Sequence, residues 1–526
     1  MQIGRFIAYV LIAGCVISSC KQKPEQILTP MPEPKPAPQF ENAYEAVANM
    51  GVGWNLGNTL DPVWSGDTDG RDWRRWETGW GQSITQPELF AMMRDAGFGA
   101  IRVPVTWGVH MDAEGKVYDE WMNRVNEVVD YVLDAGLYCI INVHHDTGAD
   151  EETAWLVAST SGYQAAKEKY EYLWLQIAER FKHYDHRLLF ESFNEMLDDK
   201  RSWCYASYNV GYDQVMAEDA YKSINAYAQS FVNVVRSTGG NNAVRNLVVN
   251  TYGACNGAGN WNSHLLDPLR GMRRPEDKAK DHIIFQVHSY PGIKDLTAME
   301  QEVGKMLDDL QTYLISLGGP VIVGEWGTHD SNAALENYCY YAQHFVSEAK
   351  RRGIGTFHWM KLSDGMHRSI PCFNDPEITE AIVKGYHGES FVPTIPVPGD
   401  FDFDYKVTYH DLWSELNLAS SILSLDEYQG VAFELAQSPA KGQFHVKIYG
   451  EDEDKIQYIH PDGASNAMVF DTSILGKTVE RVTLQCLTEG PVEIILKNVS
   501  LIRKDGTREN YTPSTFWGCE IELVIS

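Results

Sequence analysis

Between residues 51 and 360, short apolar runs rich in Val, Ile and Phe recur, separated by longer stretches in which apolar residues return every three or four positions. The runs are GVGWNLG from Gly51, GAIRVPVTW from Gly99, LYCIINVHH from Leu137, RLLFESFNE from Arg187, RNLVVNTYG from Arg245, HIIFQVHSY from His282, PVIVGEWG from Pro320 and GIGTFHWM from Gly353. Each reads as a strand. Between the second and third, DEWMNRVNEVVDYVLDAG sets Trp121, Val125, Val128 and Val132 at helical spacing, with Gly136 where a C-terminal cap is expected. Eight strand–helix units in about 340 residues predict an α/β fold of the (β/α)8 barrel type, because an open doubly wound sheet typically has fewer strands. No G-x-G-x-x-G follows the first strand, which removes the main support for dinucleotide binding.

Beyond Asp400 the pattern changes to short alternating runs, VAFELA, QFHVKIYG, AMVFDTS, RVTLQCL, VEIILKNVSLI and CEIELVIS, broken by Gly, Pro and Asp. These predict a small antiparallel β-sandwich. Two proline-rich passages divide the chain: Lys21 to Gln39, and SFVPTIPVPGDFDFDY from Ser390. The resulting division is a leader at 1–20, a linker at 21–40, the barrel at 41–388, a second linker at 389–404 and the sandwich at 405–526. Trp413, Tyr428, Tyr449, Tyr458 and Trp517 are candidates for stacking on sugars there, and a passive stabilising domain is the alternative.

The leader MQIGRFIAYVLIAGCVISSC has one Arg, an apolar stretch and small residues ending in Cys20, the layout of a secretory signal. Its end resembles a bacterial lipobox, which implies lipidation of Cys20 and an exported, membrane-anchored lipoprotein, on the periplasmic face or the cell surface; an ordinary signal peptide is the alternative. Setting aside Cys15 and Cys20 leaves seven of the nine cysteines without metal-ligand spacing, so no metal is expected. Export permits disulfides, and Cys486 with Cys519 is one candidate pair.

With Lys+Arg 44 against Asp+Glu 72 the formal charge is -28, which repels a phosphate backbone and excludes nucleic acid as a partner. Fifteen Trp and 27 Tyr suit neutral sugar faces, though core packing also uses them.

In a barrel of this type the reactive face lies at the carboxyl ends of the strands. Those ends carry Asn58, Arg102, His144 with His145, Asn194 with Glu195, His288 with Tyr290, Glu325 and Trp359. Two are carboxylates on strands four and seven, the pair that acetal hydrolysis requires. In the acidic stretch ESFNEMLDD, Glu195 is the catalytic candidate; Glu191 shares its pleat parity and predicts a deeper, structural carboxylate needing an Arg partner, while Asp198 and Asp199 read as rim. His145 points away from His144 and is as consistent with the core as with the site.

WNLGNTLD at 54, IRVPVTW at 101, INVHHD at 141, FNEM at 193, HSYP at 288, GEWG at 324 and HWM at 358 together resemble glycoside hydrolase family 5 from about residue 45 to about 388. The opening, with ETGWGQSIT, is most similar to its fourth subfamily. The resemblance implies a retaining, endo-acting hydrolase of β-1,4-glucan backbones; the two-carboxylate mechanism calls for no cofactor, and a monomer is expected. Glu195 would be the general acid/base and Glu325 the nucleophile. Asn194 would bond the sugar 2-hydroxyl, His144 and His288 would line the central subsite, and Trp359 would lie under that sugar. Arg102 and Tyr290 would hold Glu325 in its ionised form. Trp107, Trp155, Trp203 and Trp261, in loops after strands two to five, are secondary stacking candidates. An endo-β-mannanase or xylanase on the same barrel, and a non-catalytic surface glycan-binding lipoprotein, are the alternatives.

Overall fold

The computed structural model describes residues 40–64, 69–148, 153–200, 212–257, 264–451, 454–458, 465–470 and 475–525. Cys20, most of the first linker, Trp203 and Trp261 lie outside them. Phe40–Ser526 form one compact unit.

All eight expected strands form: β1 (Val52–Asn55), β2 (Ala100–Val103), β3 (Tyr138–Ile141), β4 (Leu188–Glu191), β5 (Leu247–Asn250), β6 (Ile283–Ser289), β7 (Val321–Trp326) and β8 (Gly355–His358). They pair in parallel in sequence order and close, β8 against β1. Every strand residue is buried, as in a sheet covered on both faces.

The barrel interior is built in layers. At the bottom, Ala100, Ile140, Leu189, Val248, Ile284, Ile322 and Phe357 point inward, one from each of β2 to β8. On β1 the corresponding residue is Gly53, where a Cβ would sit 2.2 Å from the Phe357 ring, so the glycine makes room for the phenylalanine. The helix Ala43–Met50, held at its start by a capping box of Asn42 and Glu45, joins this cluster through Ala43, Val47 and Met50. Two residues further along six strands, at the same parity, stand Asn55, Arg102, Asn142, Glu191, Asn250 and Gln286, all fully buried. A polar layer thus rests directly on an apolar one.

Twelve more strands follow among the described residues: β9 (Phe403–Tyr409), β10 (Glu415–Ala419), β11 (Leu423–Ser424), β12 (Tyr428–Leu435), β13 (Phe444–Gly450), β14 (Lys455–Tyr458), β15 (Ser465–Val469), β16 (Thr478–Cys486), β17 (Val492–Arg503), β18 (Arg508–Asn510), β19 (Ser514–Trp517) and β20 (Cys519–Ile525). One sheet has the order β14-β13-β16-β10-β19 with β11 on β16; the other is β15-β12-β17-β9-β20 with β18 on β17. All pairings are antiparallel, and the facing sides share one apolar core that includes Leu416, Val446, Leu484, Val431, Leu496 and Val407. The expected pair Cys486 and Cys519 is not a disulfide: both thiols are free, each turned to a different acceptor, Cys486 Sγ to the Thr488 carbonyl at 3.6 Å and Cys519 Sγ to the Glu415 carbonyl at 3.0 Å.

The sandwich seats on loops at the carboxyl ends of β1 and β8. Leu523 packs with Ile370 and Cys372, the Leu523 N–H donates to Ser369 Oγ, and Ser83 Oγ donates to the Ile521 carbonyl. Arg74 and Arg75 pair with Glu520 and Asp411 at 3.7 and 3.8 Å.

Candidate active site

Arg102 organises the site. Its Nε and Nη2 hold the two Glu191 oxygens at 2.7 and 2.8 Å, Nη1 donates to Glu325 Oε1 at 2.8 Å and to Asn55 Oδ1 at 3.0 Å, and Nη2 also donates to Asn194 Oδ1 at 2.8 Å. Burial disfavours its charge, but Glu191 and then Glu325 outweigh that cost and raise its pKa. For Glu191 burial pushes upward and Arg102 outweighs it, leaving the carboxyl below its ordinary value. Glu191 is therefore the structural carboxylate its parity predicts.

Glu325 reaches this centre because of a bulge. Val287 pairs with Val323, but the next residue, His288, pairs with Glu325, so β7 carries one extra residue at Gly324. Ile322 points inward, and strict alternation would turn Glu325 out of the barrel; the bulge turns it in. A Cβ on Gly324 would meet the Gln286 side chain at 2.3 Å. The Tyr290 hydroxyl donates to Glu325 Oε2 at 2.8 Å. Desolvation of that hydroxyl, followed by the Glu325 charge, holds the phenol well above its ordinary range, so it stays a donor.

Glu195 lies past the end of β4, not on its last residue as expected, and is half-buried. Its Oε1 is 2.7 Å from His288 Nδ1, which is also 3.5 Å from Glu325 Oε2. One oxygen of each glutamate and a His288 nitrogen all lie within 4.8 Å of one another.

His144 is buried, and burial, then the neighbouring His145 and Arg102, drive its pKa well down. The Asn142 amide nitrogen serves both Glu191 Oε1 and His144 Nδ1 at 3.1 Å, while its oxygen accepts the Val105 N–H. Nδ1 is thus the acceptor and the neutral ring carries its proton on Nε2. The Trp359 ring lies parallel to it at 6.0 Å, over Gly57, where a Cβ would be 2.9 Å from the indole.

His145 takes the other side: its N–H donates to Thr106 Oγ1, its Nε2 is 3.9 Å from Asp61 Oδ2, and the Trp80 ring meets it edge-on at 5.5 Å. Asp61 is fully buried and its pKa is pushed up to about 7 by desolvation. Asp61, His144 and His145 form a second group of ligand-type atoms within 4.8 Å, a donor set able to take a cation.

Asn58 has no place in the Arg102 network: it turns the chain at φ 57° with its N–H on the Asp61 carboxylate, and Asn55 takes the position beside Arg102. Trp107 is fully buried with Nε1 on the Asn142 carbonyl, so core packing, not stacking, is its role. Trp155 is half-buried, its indole Nε1–H held by Asp146. Sequence reasoning missed Asn55, Asn142, Asn250 and Gln286. Each stands two residues from a strand-end residue or ends its own strand, so pleat parity was the available signal.

Two glutamates across the mouth of a (β/α)8 barrel, braced by a buried Arg, define a glycosidase type of site. A model of the cellulase family, glycosyl hydrolase family 5, matches residues 64–364. The chain is 51% identical to a subfamily 4 broad-specificity endoglucanase from an uncultured bacterium, over 68% of this chain and 98% of that one, with a TM-score of 0.63. It is 39% identical to a family 5 enzyme of Prevotella bryantii B14, a mutant of which was solved with a xyloglucan tetradecasaccharide, over 66% and 99% of the chains, at a TM-score of 0.59. Among curated relatives it is 32% identical to the cellulase/esterase CelE of Acetivibrio thermocellus over 411 residues, 73% of this chain and about half, 46%, of CelE. Endoglucanase A of Clostridium longisporum is 31% identical, over 66% of this chain and 67% of that protein. The chain belongs to glycosyl hydrolase family 5, and is a glycoside hydrolase.

Proposed function

We propose that the protein is an endo-acting hydrolase of β-1,4-glucan backbones that retains anomeric configuration. The observation that carries the mechanism is that Glu195 and Glu325 both close on one His288 nitrogen, at 2.7 and 3.5 Å, with an oxygen of each within 4.8 Å of the other, an approach that favours double displacement over the wider pair that an inverting water needs. A Glu325 oxygen attacks the anomeric carbon; the glycosidic C–O bond breaks and its oxygen takes the proton of Glu195. Water then attacks the same carbon, giving a proton back to Glu195 and releasing Glu325. Arg102 and Tyr290 hold Glu325 from two sides, which orients it for attack. Asn194, its Oδ1 fixed by Arg102, has its Nδ2 left to meet the 2-hydroxyl, and His144 offers Nε2–H to the same sugar.

The substrate class rests on the relatives: a broad-specificity endoglucanase, a xyloglucan-bound enzyme, and a lichenase from Caldicellulosiruptor solved with cellotetraose. Reducing-sugar release on carboxymethyl-cellulose, barley β-glucan, tamarind xyloglucan, glucomannan and xylan, with Glu325→Gln as control, tests it. Release from the glucans that the control lacks is expected. Activity confined to mannan or xylan overturns the specificity, and silence on all five returns the site to a binding role.

We propose further that the chain is exported and anchored through a lipid on Cys20. Metabolic labelling with palmitate that Cys20→Ser abolishes is the expected result; equal labelling of both overturns it.

A further inference from the structure

Several aromatic residues of the sandwich remain exposed, and they gather where it meets the barrel. Trp517 is 51% and Trp413 52% exposed. Trp517 is the last residue of edge strand β19, and its partner across the sheet is Glu415, whose side chain lies on the face turned away from the sandwich core. That outer face has a polar floor: Glu415 accepts from Gln485 Nε2 at 2.7 Å, and Asn417, only 5% exposed, has a buried Oδ1 with no hydrogen-bond partner. Phe516 lies over the same face, its ring 3.7 Å from the Arg481 guanidinium. Trp413 is held in the left-handed region at φ 72°, its N–H on the Cys486 carbonyl and its own carbonyl on Gln485. A bulky residue there is strained, and such strain concentrates at binding sites.

The aromatic end of this face meets the loop after β1. Phe516, Trp517 and Gly518 line one wall of a cavity of about 250 Å³ whose other wall is the loop after β1, with Trp64, Gly79 and Gly81. Between those two glycines is Trp80, edge-on to His145, which adjoins His144 and so the Trp359 floor. Aromatic rings therefore run from the catalytic centre, over the β1 loop, onto the sandwich. The direction follows from barrel closure: β8, with β1 beside it, lies opposite β4. Glu195, after β4, gives its proton to the leaving oxygen, so the leaving part of the chain lies toward β4 and the glycone part toward β8 and β1.

We propose that the outer face of the β14-β13-β16-β10-β19 sheet, with Trp517 and Trp413 at its barrel end, binds the distal glycone stretch of the same glucan chain that the barrel cleaves. The sandwich lies outside the matched 64–364 region. Flat rings beside a polar floor in which the Asn417 Oδ1 acceptor is unpartnered suit a neutral polyhydroxylated chain, and the net charge of -28 disfavours an acidic one. Rim loop and sheet face each other across one cavity, so a single long chain, not a separate one, is the occupant.

The inference rests on the hydrolase reading, and the test separates the two. In the full chain, Trp517→Thr keeps a β-branched residue in β19, and Trp413→Gly relieves the left-handed backbone. Both are assayed on barley β-glucan and on an aryl β-cellobioside, whose glycone ends near the barrel centre. The expected result is a fall in kcat/KM of about tenfold on the polymer, carried by KM, with the aryl cellobioside changed less than about twofold. An unchanged polymer rate, or equal losses on both substrates, overturns the proposal. Should the parent hydrolyse neither, the hydrolase reading is what fails. Affinity electrophoresis of the full-length Glu325→Gln variant in β-glucan gels then decides the sandwich site: retardation that Trp517→Thr abolishes supports it, and retardation that persists, or none at all, overturns it.

Discussion

Arg102 and Asp61 show how single residues set the chemistry. Glu191 and Arg102 are a fully buried pair, and removing Glu191 takes away two charged hydrogen bonds and leaves the guanidinium with Glu325 as its remaining counter-ion: Glu191→Ala should cost about 3–5 kcal/mol in urea unfolding. Glu195→Ala should slow unactivated glucans by orders of magnitude while sparing aryl glycosides with good leaving groups, because those need no proton; equal loss on both would remove Glu195 from the acid role. Asp61 carries a pH signature. Its carboxyl titrates near 3.8 when unfolded and about 7 when folded, so the folded state binds the extra proton between those values. Its contribution to stability is full below about pH 4 and lost as pH rises through about 7. Asp61→Asn keeps the oxygen that accepts the Thr59 N–H, at 2.7 Å in the parent, and should flatten the fall in urea midpoint that the parent shows over that window.

Among elements, β7 shows where sequence reading succeeds and where it stops. The eight strands were legible because each is a short apolar run between turn residues, and Glu325 was legible because GEWG resembles a family motif. The bulge that aims it was not, because a bulge is a property of pairing with β6 and β8, and no residue of β7 alone reveals that register. Gly324→Ala should test this: the added Cβ meets Gln286, which neighbours His288, so a cost of about 1–3 kcal/mol and a drop in kcat are expected, both eased by Gln286→Ala. In the sandwich, the long alternating runs were found while β9, β10, β11, β14, β18 and β19 were missed. β10 is buried throughout and β19 half-exposed at an edge, so neither shows clean alternation. Asn55 was not legible, because it lies inside the first apolar run and only pleat parity marks it as facing Arg102.

At the scale of the molecule, barrel and sandwich share a small apolar contact at Leu523 and Ile370 and polar contacts at Ser83, Ser369 and Glu520. Those contacts fall on loops that frame the cleft, so a chain ended after Phe391 should keep the barrel yet lower its melting temperature by several degrees, read by calorimetry; an unchanged transition would mean the sandwich does not brace the rim. Arg102 has one more consequence. In the proposed double displacement Glu325 spends part of each turnover as a neutral ester, and a buried guanidinium with one counter-ion would then be stranded. Because Glu191 grips the same guanidinium with two bonds throughout, the cation is never orphaned, and the interior keeps its charge balance while the catalytic carboxylate is on loan to the sugar.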